Sequence, residues 1–205
     1  MSRYRGPITR LSRRLGVMLF PNEGKSKEKA FTKKNYKPGE QGQKRFSKLS
    51  EYNKQLREKQ KARFMYGISE KQSKKYYDLA SKNEEITGLK YLQLLEQRID
   101  NVIFRSGLAT TRPQARQMVS HGLVCLNGKK IKTPSIQVKT GDKFSVRDKS
   151  KDSKLFEETK KSKTKTPKWI TSDLKSLQGE IVALPDKDDV EKVIQHQLIT
   201  EYYSK

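Results

Sequence analysis

The chain has 205 residues and carries 46 Lys and Arg against 23 Asp and Glu, a formal net charge of +23. Only 32% of the residues are hydrophobic, and no apolar run approaches the roughly 20 residues of a membrane span, which argues against an integral membrane protein. The single cysteine, Cys125, excludes a disulfide framework and any site built from several thiolates, and we expect it to be a small buried hydrophobe.

The positive charge is unevenly distributed. Residues 1–90 hold 24 Lys and Arg against 9 acidic residues, and residues 91–150 hold 11 against 4. Residues 151–205 are nearly neutral, with 11 basic and 10 acidic residues. The first two parts are therefore predicted to face a polyanion, and the last part is not.

Residues 1–45 read as a basic arm that Gly and Pro pairs interrupt repeatedly. A short helix is predicted near Ile8 to Leu15. The arm contains no Cys and no His, so it cannot hold a zinc site. We expect it to be disordered when free and ordered on RNA.

Two helices are predicted between residues 50 and 80. Ser50 is a good N-cap for a helix over 50–66, which Gly67 ends. Ser69 and Gln72 have the spacing of a capping box, which opens the second helix. The tyrosines of this region could stack on bases, but their helical spacing favours a place in the core.

Residues 89–106 are predicted to form one helix. Leu92, Leu95, Ile99 and Val102 recur at helical spacing and mark a buried face. Gly107 suits the left-handed conformation that ends many helices.

A further helix over 112–121 is predicted after a Thr111–Gln114 capping box, with Gly122 at its end. The apolar run 123–126 indicates a strand, and Asn127-Gly128 is the dipeptide of a type I′ hairpin turn. Apolar residues continue the predicted small sheet, with a turn at 140–142; they are Ile131, Ile136, Val138, Phe144 and Val146.

Residues 149–168 are rich in Lys, Ser and Thr, and read as a surface linker. Apolar residues return from Trp169 onwards. A last helix is predicted from Asp188 to about Gln197, since acidic residues suit a helix N-terminus and apolar residues follow at helical spacing.

The sequence offers no catalytic constellation. Its two histidines, His121 and His196, have no motif partner, and we interpret His121 as a helix C-cap rather than a phosphate contact. Gly128-Lys129-Lys130 lacks the remaining residues of a phosphate-binding loop. Arg98-Ile99-Asp100 is similar to a peptide of pseudouridine synthases, but it lies inside a predicted helix, so Asp100 is interpreted as a structural, salt-bridging residue.

The region after residue 92 resembles the S4 RNA-binding module, through residues 95–102, 111–119, 121–122 and 124–128. The rest of the chain resembles the small-subunit ribosomal S4 family, bacterial or organellar, in the form without N-terminal zinc cysteines. The segments that carry this second likeness are 1–7, 38–42, 49–52, 55–61, 65–67 and 201–205. Together they follow the family in order over nearly the whole length.

The resemblance implies an α+β fold in which a mainly helical, discontinuous domain carries an inserted small α/β RNA-binding module, with two helices packed on a short, mainly antiparallel sheet. The expected division is a basic arm at 1–45, a helical domain at 46–95 completed by 169–205, the module at 96–148 and a linker at 149–168.

The resemblance also implies a structural, non-enzymatic constituent of the small ribosomal subunit. It would bind rRNA early at a multi-helix junction in the 5′ part of the rRNA and nucleate assembly of the subunit body. It would also contact neighbouring small-subunit proteins, lie near the mRNA where it enters, and influence translational accuracy. No cofactor, metal, membrane or small-molecule substrate is expected, and the location is a ribosome of the bacterial cytoplasm or of an organelle. An RNA-modifying enzyme and a free regulatory RNA-binding protein are the alternatives.

Candidate RNA-binding residues follow from charge and side-chain chemistry, because Arg makes bidentate phosphate contacts and Lys acts as a flexible point charge. Arg112 and Arg116 lie four residues apart on one helix face, which we expect to face solvent. The family's mRNA-facing positions carry over to Lys44, Arg45 and Lys48. The other candidates are Arg3, Arg5, Arg10, Arg13, Arg14, Arg57, Lys61, Arg63, Lys129, Lys130 and Lys132.

Overall fold

A computed structural model of the chain describes residues 4, 6–20, 25–43, 49–157, 159 and 166–204. The architecture is α+β, as the sequence predicted. Two compact units are present: a helical unit, Met1–Gly88 with Val193–Lys205, and a sheet unit, Leu89–Lys192. The helices are α1 Ile8–Leu15, α2 Lys25–Lys33, α3 Glu51–Met65, α4 Glu70–Ala80, α5 Thr87–Glu96, α6 Ile99–Arg105, α7 Arg112–Ser120 and α8 His196–Tyr203.

Local capping starts α3 and α4 where the sequence predicted them. The Ser50 hydroxyl accepts a hydrogen bond from the Asn53 N–H at 3.3 Å, at the start of α3. Ser69 and Gln72 form both halves of a capping box at the start of α4. α1 has the predicted bounds and ends at Gly16, whose φ of 74° is left-handed.

The last helix, α8, packs along α3. Ile199 is fully buried in α8. Gln55 donates a hydrogen bond to Glu201 at 2.8 Å, and the Gln195 N–H donates to Glu58 at 3.1 Å. Residues 193–205 therefore complete the helical unit.

The sheet unit contains a five-stranded antiparallel sheet in the order β2-β1-β3-β5-β4. The strands are β1 Val124–Leu126, β2 Lys129–Lys130, β3 Lys143–Val146, β4 Ile170–Asp173 and β5 Gln178–Ile181. Val124 pairs with Val146, and Phe144 pairs with Gly179. A Cβ on Gly179 would lie 2.5 Å from the Phe144 ring, so the close approach of β3 and β5 requires glycine there.

One hydrophobic core joins α6, α7 and the sheet. Its members come from both helices, from β1 and β3, and from the later residues Phe156, Trp169, Ile170, Leu177 and Ile181. Cys125, expected to be buried, is only partly covered, because it alternates with the buried Val124 along β1.

The predicted domain division is wrong for residues 169–192. These residues were assigned to the helical domain, but β4 and β5 extend the module's sheet, and the structure groups them with it. The physical reason is that β5 supplies the antiparallel neighbour that β3 lacks on its second edge, and buries Ile181 in the same core. The predicted surface linker is also partly wrong, since Phe156 is fully buried.

The helix predicted from Asp188 to Gln197 is wrong as well. Helix α8 begins only at His196, and residues 187–189 form a turn. The Asp186 N–H donates to the Asp189 carboxylate at 3.1 Å. Aspartate side chains offer the backbone such local partners, which compete with helix formation.

The single helix predicted over 89–106 is two helices. The backbone is extended at Arg98, where φ is −66° and ψ is 135°. There it pairs with the segment 136–138: the Ile99 N–H donates to Ile136 at 2.8 Å, and the Val138 N–H donates to Gln97 at 3.0 Å. The predicted strand residues Ile136 and Val138 therefore flank Gln137, which forms an isolated bridge with Arg98 and is not part of a strand of the main sheet.

Candidate nucleic-acid interface

The β1–β2 hairpin presents the predicted lysines to solvent. Asn127 and Gly128 have φ values of 49° and 75°, as a type I′ turn requires. The Asn127 side chain ties this turn to the next one: its oxygen accepts from the Lys143 N–H at 2.8 Å, and its amide donates to Asp142 at 2.8 Å. Asn127 thus ties the turn to residues 142 and 143, and Lys129 and Lys130 follow the turn in exposed positions.

The end of α7 shapes the same surface. Gly122 follows α7 with a φ of 69°, and a Cβ there would lie 2.4 Å from the Lys130 side chain. Glycine therefore lets Lys130 lie close to the end of the helix. Lys132 is also exposed. His121 occupies the C-cap position of α7, as interpreted from the sequence.

The capping box predicted at Thr111 is only half formed. The Thr111 hydroxyl accepts from the Gln114 N–H at 3.3 Å, as expected. The Gln114 side chain, however, accepts from the N–H and hydroxyl of Thr110 at 2.9 and 2.6 Å, rather than from Thr111.

The expectation that Arg112 and Arg116 face solvent is wrong. Their side chains are only 12% and 11% exposed. Arg112 donates to the Asn101 side chain at 2.9 Å and to Glu191 at 2.6 Å, and its guanidinium stacks 4.5 Å from the centre of the Phe104 ring. The cause is a set of carboxylates from other elements, which the helix pattern alone cannot reveal.

These arginines belong to a larger internal network, which we call the arginine network and define as Glu96, Arg98, Asp100, Asn101, Arg105, Arg112, Arg116 and Glu191. Arg98 and Asp100 form a bidentate pair at 3.0 and 2.7 Å, with side chains 1% and 6% exposed. Arg116 lies 3.6 Å from the same carboxylate. Asp100 is therefore the salt-bridging residue that the sequence predicted.

The other half of the network centres on Glu96 and Glu191. Arg105 holds the fully buried Glu96 carboxylate bidentately at 2.9 and 2.6 Å. It also reaches Glu191 at 3.1 Å, so Arg105 and Arg112 converge on one oxygen of that residue. Four guanidinium groups thus face three carboxylates.

Glu191 gives this network a pH dependence. Burial opposes ionisation of its carboxyl, but Arg112 and Arg105 outweigh burial, so the pKa lies below its ordinary value. A carboxyl with a lowered folded-state pKa stabilises the fold above the ordinary pKa of 4.5, and the stabilisation disappears as the pH falls through the lowered value.

We therefore expect Glu191→Gln to lower the thermal unfolding midpoint of the chain at pH 7, and we expect this difference to shrink as the pH approaches 3. Circular dichroism measures the thermal unfolding midpoint of the wild type and of the variant across this pH range. A difference that stays constant with pH would contradict an ionic role for Glu191.

The candidate RNA-binding residues of the helical unit also include both exposed side chains and side chains bonded within the protein. Arg10 and Arg14 are exposed on α1, whereas Arg13 donates to the Tyr36 carbonyl at 3.0 Å and stacks 4.6 Å from its ring centre. Lys61 and Arg63 pair with Glu58 and Glu70 respectively, and Arg57 is partly exposed. The remaining candidates, Arg3, Arg5, Lys44, Arg45 and Lys48, lie outside the described residues.

Lys59, which is not among the sequence-predicted RNA contacts, is only 6% exposed. Its ammonium group lies 2.9 Å from Glu70 and 4.3 Å from the centre of the Tyr202 ring. Tyr76 and Tyr77 are buried in the core, as the helical spacing favoured, while Tyr52 is 55% exposed beside Tyr202.

Within the described ranges, no group of three or more His, Cys, Asp and Glu residues could hold a metal ion. Nor is any described helix long and apolar enough to cross a membrane. Buried polar atoms without a partner among the described residues are Trp169 Nε1 and His196 Nδ1.

Comparisons with known proteins bear on both units. A family model described as "Ribosomal protein S4/S9 N-terminal domain" matches residues 3–96, and an "S4 domain" model matches residues 97–144. A protein of Desulfitobacterium hafniense named small ribosomal subunit protein uS4 is 45% identical over 208 residues. Proteins of the same name from Halothermothrix orenii and Pediococcus pentosaceus are 43% and 45% identical, and all three alignments cover both chains completely.

Proposed function

Because the chain belongs to the uS4 family of small ribosomal subunit proteins, we propose that it binds rRNA phosphates through the exposed lysines of its β1–β2 hairpin. Membership makes the chain a structural constituent of the ribosome rather than an enzyme, and the S4 domain makes it an RNA-binding protein. The sequence predicted each of these points.

We choose the hairpin as the RNA-binding surface because its basic side chains are exposed, whereas those of α7 are not. Lys129 and Lys130 form β2 directly after the Asn127-Gly128 turn, Lys132 follows, and all three are exposed, whereas Arg112 and Arg116 are mostly buried beside carboxylates. A turn fixed by hydrogen bonds keeps the backbone that carries these lysines in place before binding, so less backbone freedom is lost on contact with RNA. Positive side chains that release counterions supply most of the affinity for RNA.

Replacing Lys129, Lys130 and Lys132 together by alanine is expected to weaken RNA binding by at least about tenfold at 0.1 M salt. Each lost phosphate contact should also reduce the slope of log affinity against log salt by roughly 0.7–0.9. Filter binding to a fragment of the 5′ domain of small-subunit rRNA, over a series of salt concentrations, measures both quantities.

A charge-matched control is available in the same unit. Lys168, Lys175 and Lys187 are exposed, and their triple replacement removes the same charge away from the hairpin. It should change affinity far less, and both variants should unfold at the wild-type temperature. Equal losses in the two variants would mean that net charge, rather than the hairpin, governs binding.

The finer roles are part of the same proposal. We place the chain at a multi-helix junction early in subunit assembly, beside other small-subunit proteins and near the mRNA where it enters, with an effect on accuracy. The support is the resemblance, which carries the mRNA contact to Lys44, Arg45 and Lys48. Co-sedimentation with small subunits after a high-salt wash tests stable incorporation, and release into the wash would instead favour a free regulatory protein.

A further inference from the structure

Glu191 is the carboxylate of the arginine network that RNA can most readily replace. Glu96 and Asp100 have side chains 0% and 6% exposed, and each is gripped by two nitrogens of one guanidinium. Glu191 is 21% exposed, and its contacts with Arg105 and Arg112 involve only one of its two oxygens. Glu191 is therefore the carboxylate of the network that water already reaches most. Its displacement also releases only one carboxylate oxygen from arginine, rather than two.

The two donors around that oxygen are ones that a phosphate oxygen could also accept from. Nη2 of Arg105 and Nη2 of Arg112 converge on it from 3.1 and 2.6 Å. Arginine N–H groups make charge-assisted hydrogen bonds to phosphate oxygens as they do to carboxylate oxygens, so the same two donors can hold either anion. Nε of Arg112 donates to the side-chain oxygen of Asn101 at 2.9 Å. This bond does not involve Glu191, so it orients the guanidinium in its absence.

We propose that Glu191 is a specificity-determining residue, a phosphate mimic that occupies the Arg105–Arg112 pair until the correct RNA displaces it. The inference rests on the proposed function and deepens it. An RNA that touches only the hairpin lysines would leave Glu191 in place and bind weakly. An RNA whose shape brings a backbone phosphate to the two arginines would replace the carboxylate and gain two charge-assisted contacts.

The consequence is discrimination against unrelated RNA. Nonspecific binding comes almost entirely from accessible positive charge, which Glu191 reduces at this point on the surface. Neutralising Glu191 should therefore benefit nonspecific RNA more than the correct RNA, because the correct RNA already supplies a replacement anion.

The test compares Glu191→Gln with Asp188→Asn, which changes the net charge equally within the same acidic segment. Asp188 is 97% exposed and its ion pair is with Lys192 at 3.8 Å, so its loss does not touch the arginine network. Binding is measured for the 5′-domain rRNA fragment and for an unrelated structured RNA of equal length, below the unfolding temperatures of all variants.

Glu191→Gln is expected to tighten binding of the unrelated RNA about three- to tenfold, and to steepen its salt slope by roughly 0.7–0.9, the value for one additional phosphate. Asp188→Asn should stay within about twofold of wild type, since exposed single charges act weakly. Glu191→Asp keeps the charge but moves it away from the arginines, so it should change the affinity for the unrelated RNA in the same direction as Glu191→Gln. If Glu191→Gln unfolds the unit, Glu191→Asp takes its place in the test.

Tighter binding of the unrelated RNA by Glu191→Gln alone supports the inference. Weaker binding of both RNAs by Glu191→Gln would show that Glu191 positions the arginines. Equal changes of affinity in Glu191→Gln and Asp188→Asn would show that only net charge matters. Either result overturns the inference. Failure of the wild-type chain to prefer the rRNA fragment would instead overturn the proposed function, and is measured in the same experiment.

Discussion

Replacing Arg98 by alanine is expected to destabilise the sheet unit by about 3–5 kcal/mol, because it leaves the Asp100 carboxylate buried without its bidentate partner. The Arg98 and Asp100 side chains are 1% and 6% exposed, and two hydrogen bonds of 3.0 and 2.7 Å join them. Arg116, 3.6 Å from the same carboxylate, does not reproduce that geometry. Urea unfolding followed by circular dichroism and by Trp169 fluorescence measures the loss.

Two comparisons make this expectation specific. Replacing Lys143, which forms an exposed ion pair with Glu180 at 3.7 Å, should cost at most about 1 kcal/mol. The double variant Arg98→Met with Asp100→Leu should be more stable than Arg98→Ala, since an apolar pair removes both buried charges. If Arg98→Ala cost no more than Lys143→Ala, the pair would not be a structural element of the unit.

Arginine and lysine have separate roles in the sheet unit. Four arginines, at positions 98, 105, 112 and 116, lie within the arginine network, whereas the hairpin lysines are exposed. The guanidinium is planar and weakly hydrated, so it tolerates burial beside carboxylates, while the ammonium group is compact and strongly hydrated. This preference explains why the arginines, the better phosphate ligands in principle, were the wrong candidates for a solvent-facing surface.

Features that depend on neighbouring residues could be predicted from the sequence. The Ser50 cap, the Ser69–Gln72 capping box and the Asn127-Gly128 turn all appear where the sequence predicted them. Each of them depends on hydrogen bonds or dihedral angles within four residues, which local sequence specifies.

Features that depend on distant residues could not be predicted in this way. Glu191 lies 86 residues from Arg105, and no spacing rule joins them. The break at Arg98 was missed for the same reason, since its cause is pairing with Gln137 across the chain. The return of apolar residues from Trp169 onwards predicted order, but the pairing of β5 with β3 is fixed only by the folded core.

The assignment of β4 and β5 to the sheet unit leads to a prediction about fragments. A fragment of residues 89–192 is expected to fold cooperatively by itself, whereas a fragment of residues 96–148, the module as bounded from the sequence, is not. The shorter fragment lacks β5, the partner of β3, and it lacks part of the hydrophobic core. The missing core side chains are Phe156, Trp169, Ile170, Leu177 and Ile181.

Each of those five side chains contributes about 1.5–3 kcal/mol when fully buried. Their combined loss is comparable to the entire net stability of a typical domain, about 5–15 kcal/mol. Thermal unfolding by circular dichroism and amide dispersion in NMR spectra of the two fragments measure the outcome. Phe144 provides the internal readout, because it packs against Gly179 in the longer fragment only. A sigmoidal transition with dispersed amide signals in the 96–148 fragment would show that β4 and β5 are an addition to an independently stable module, not a part of it.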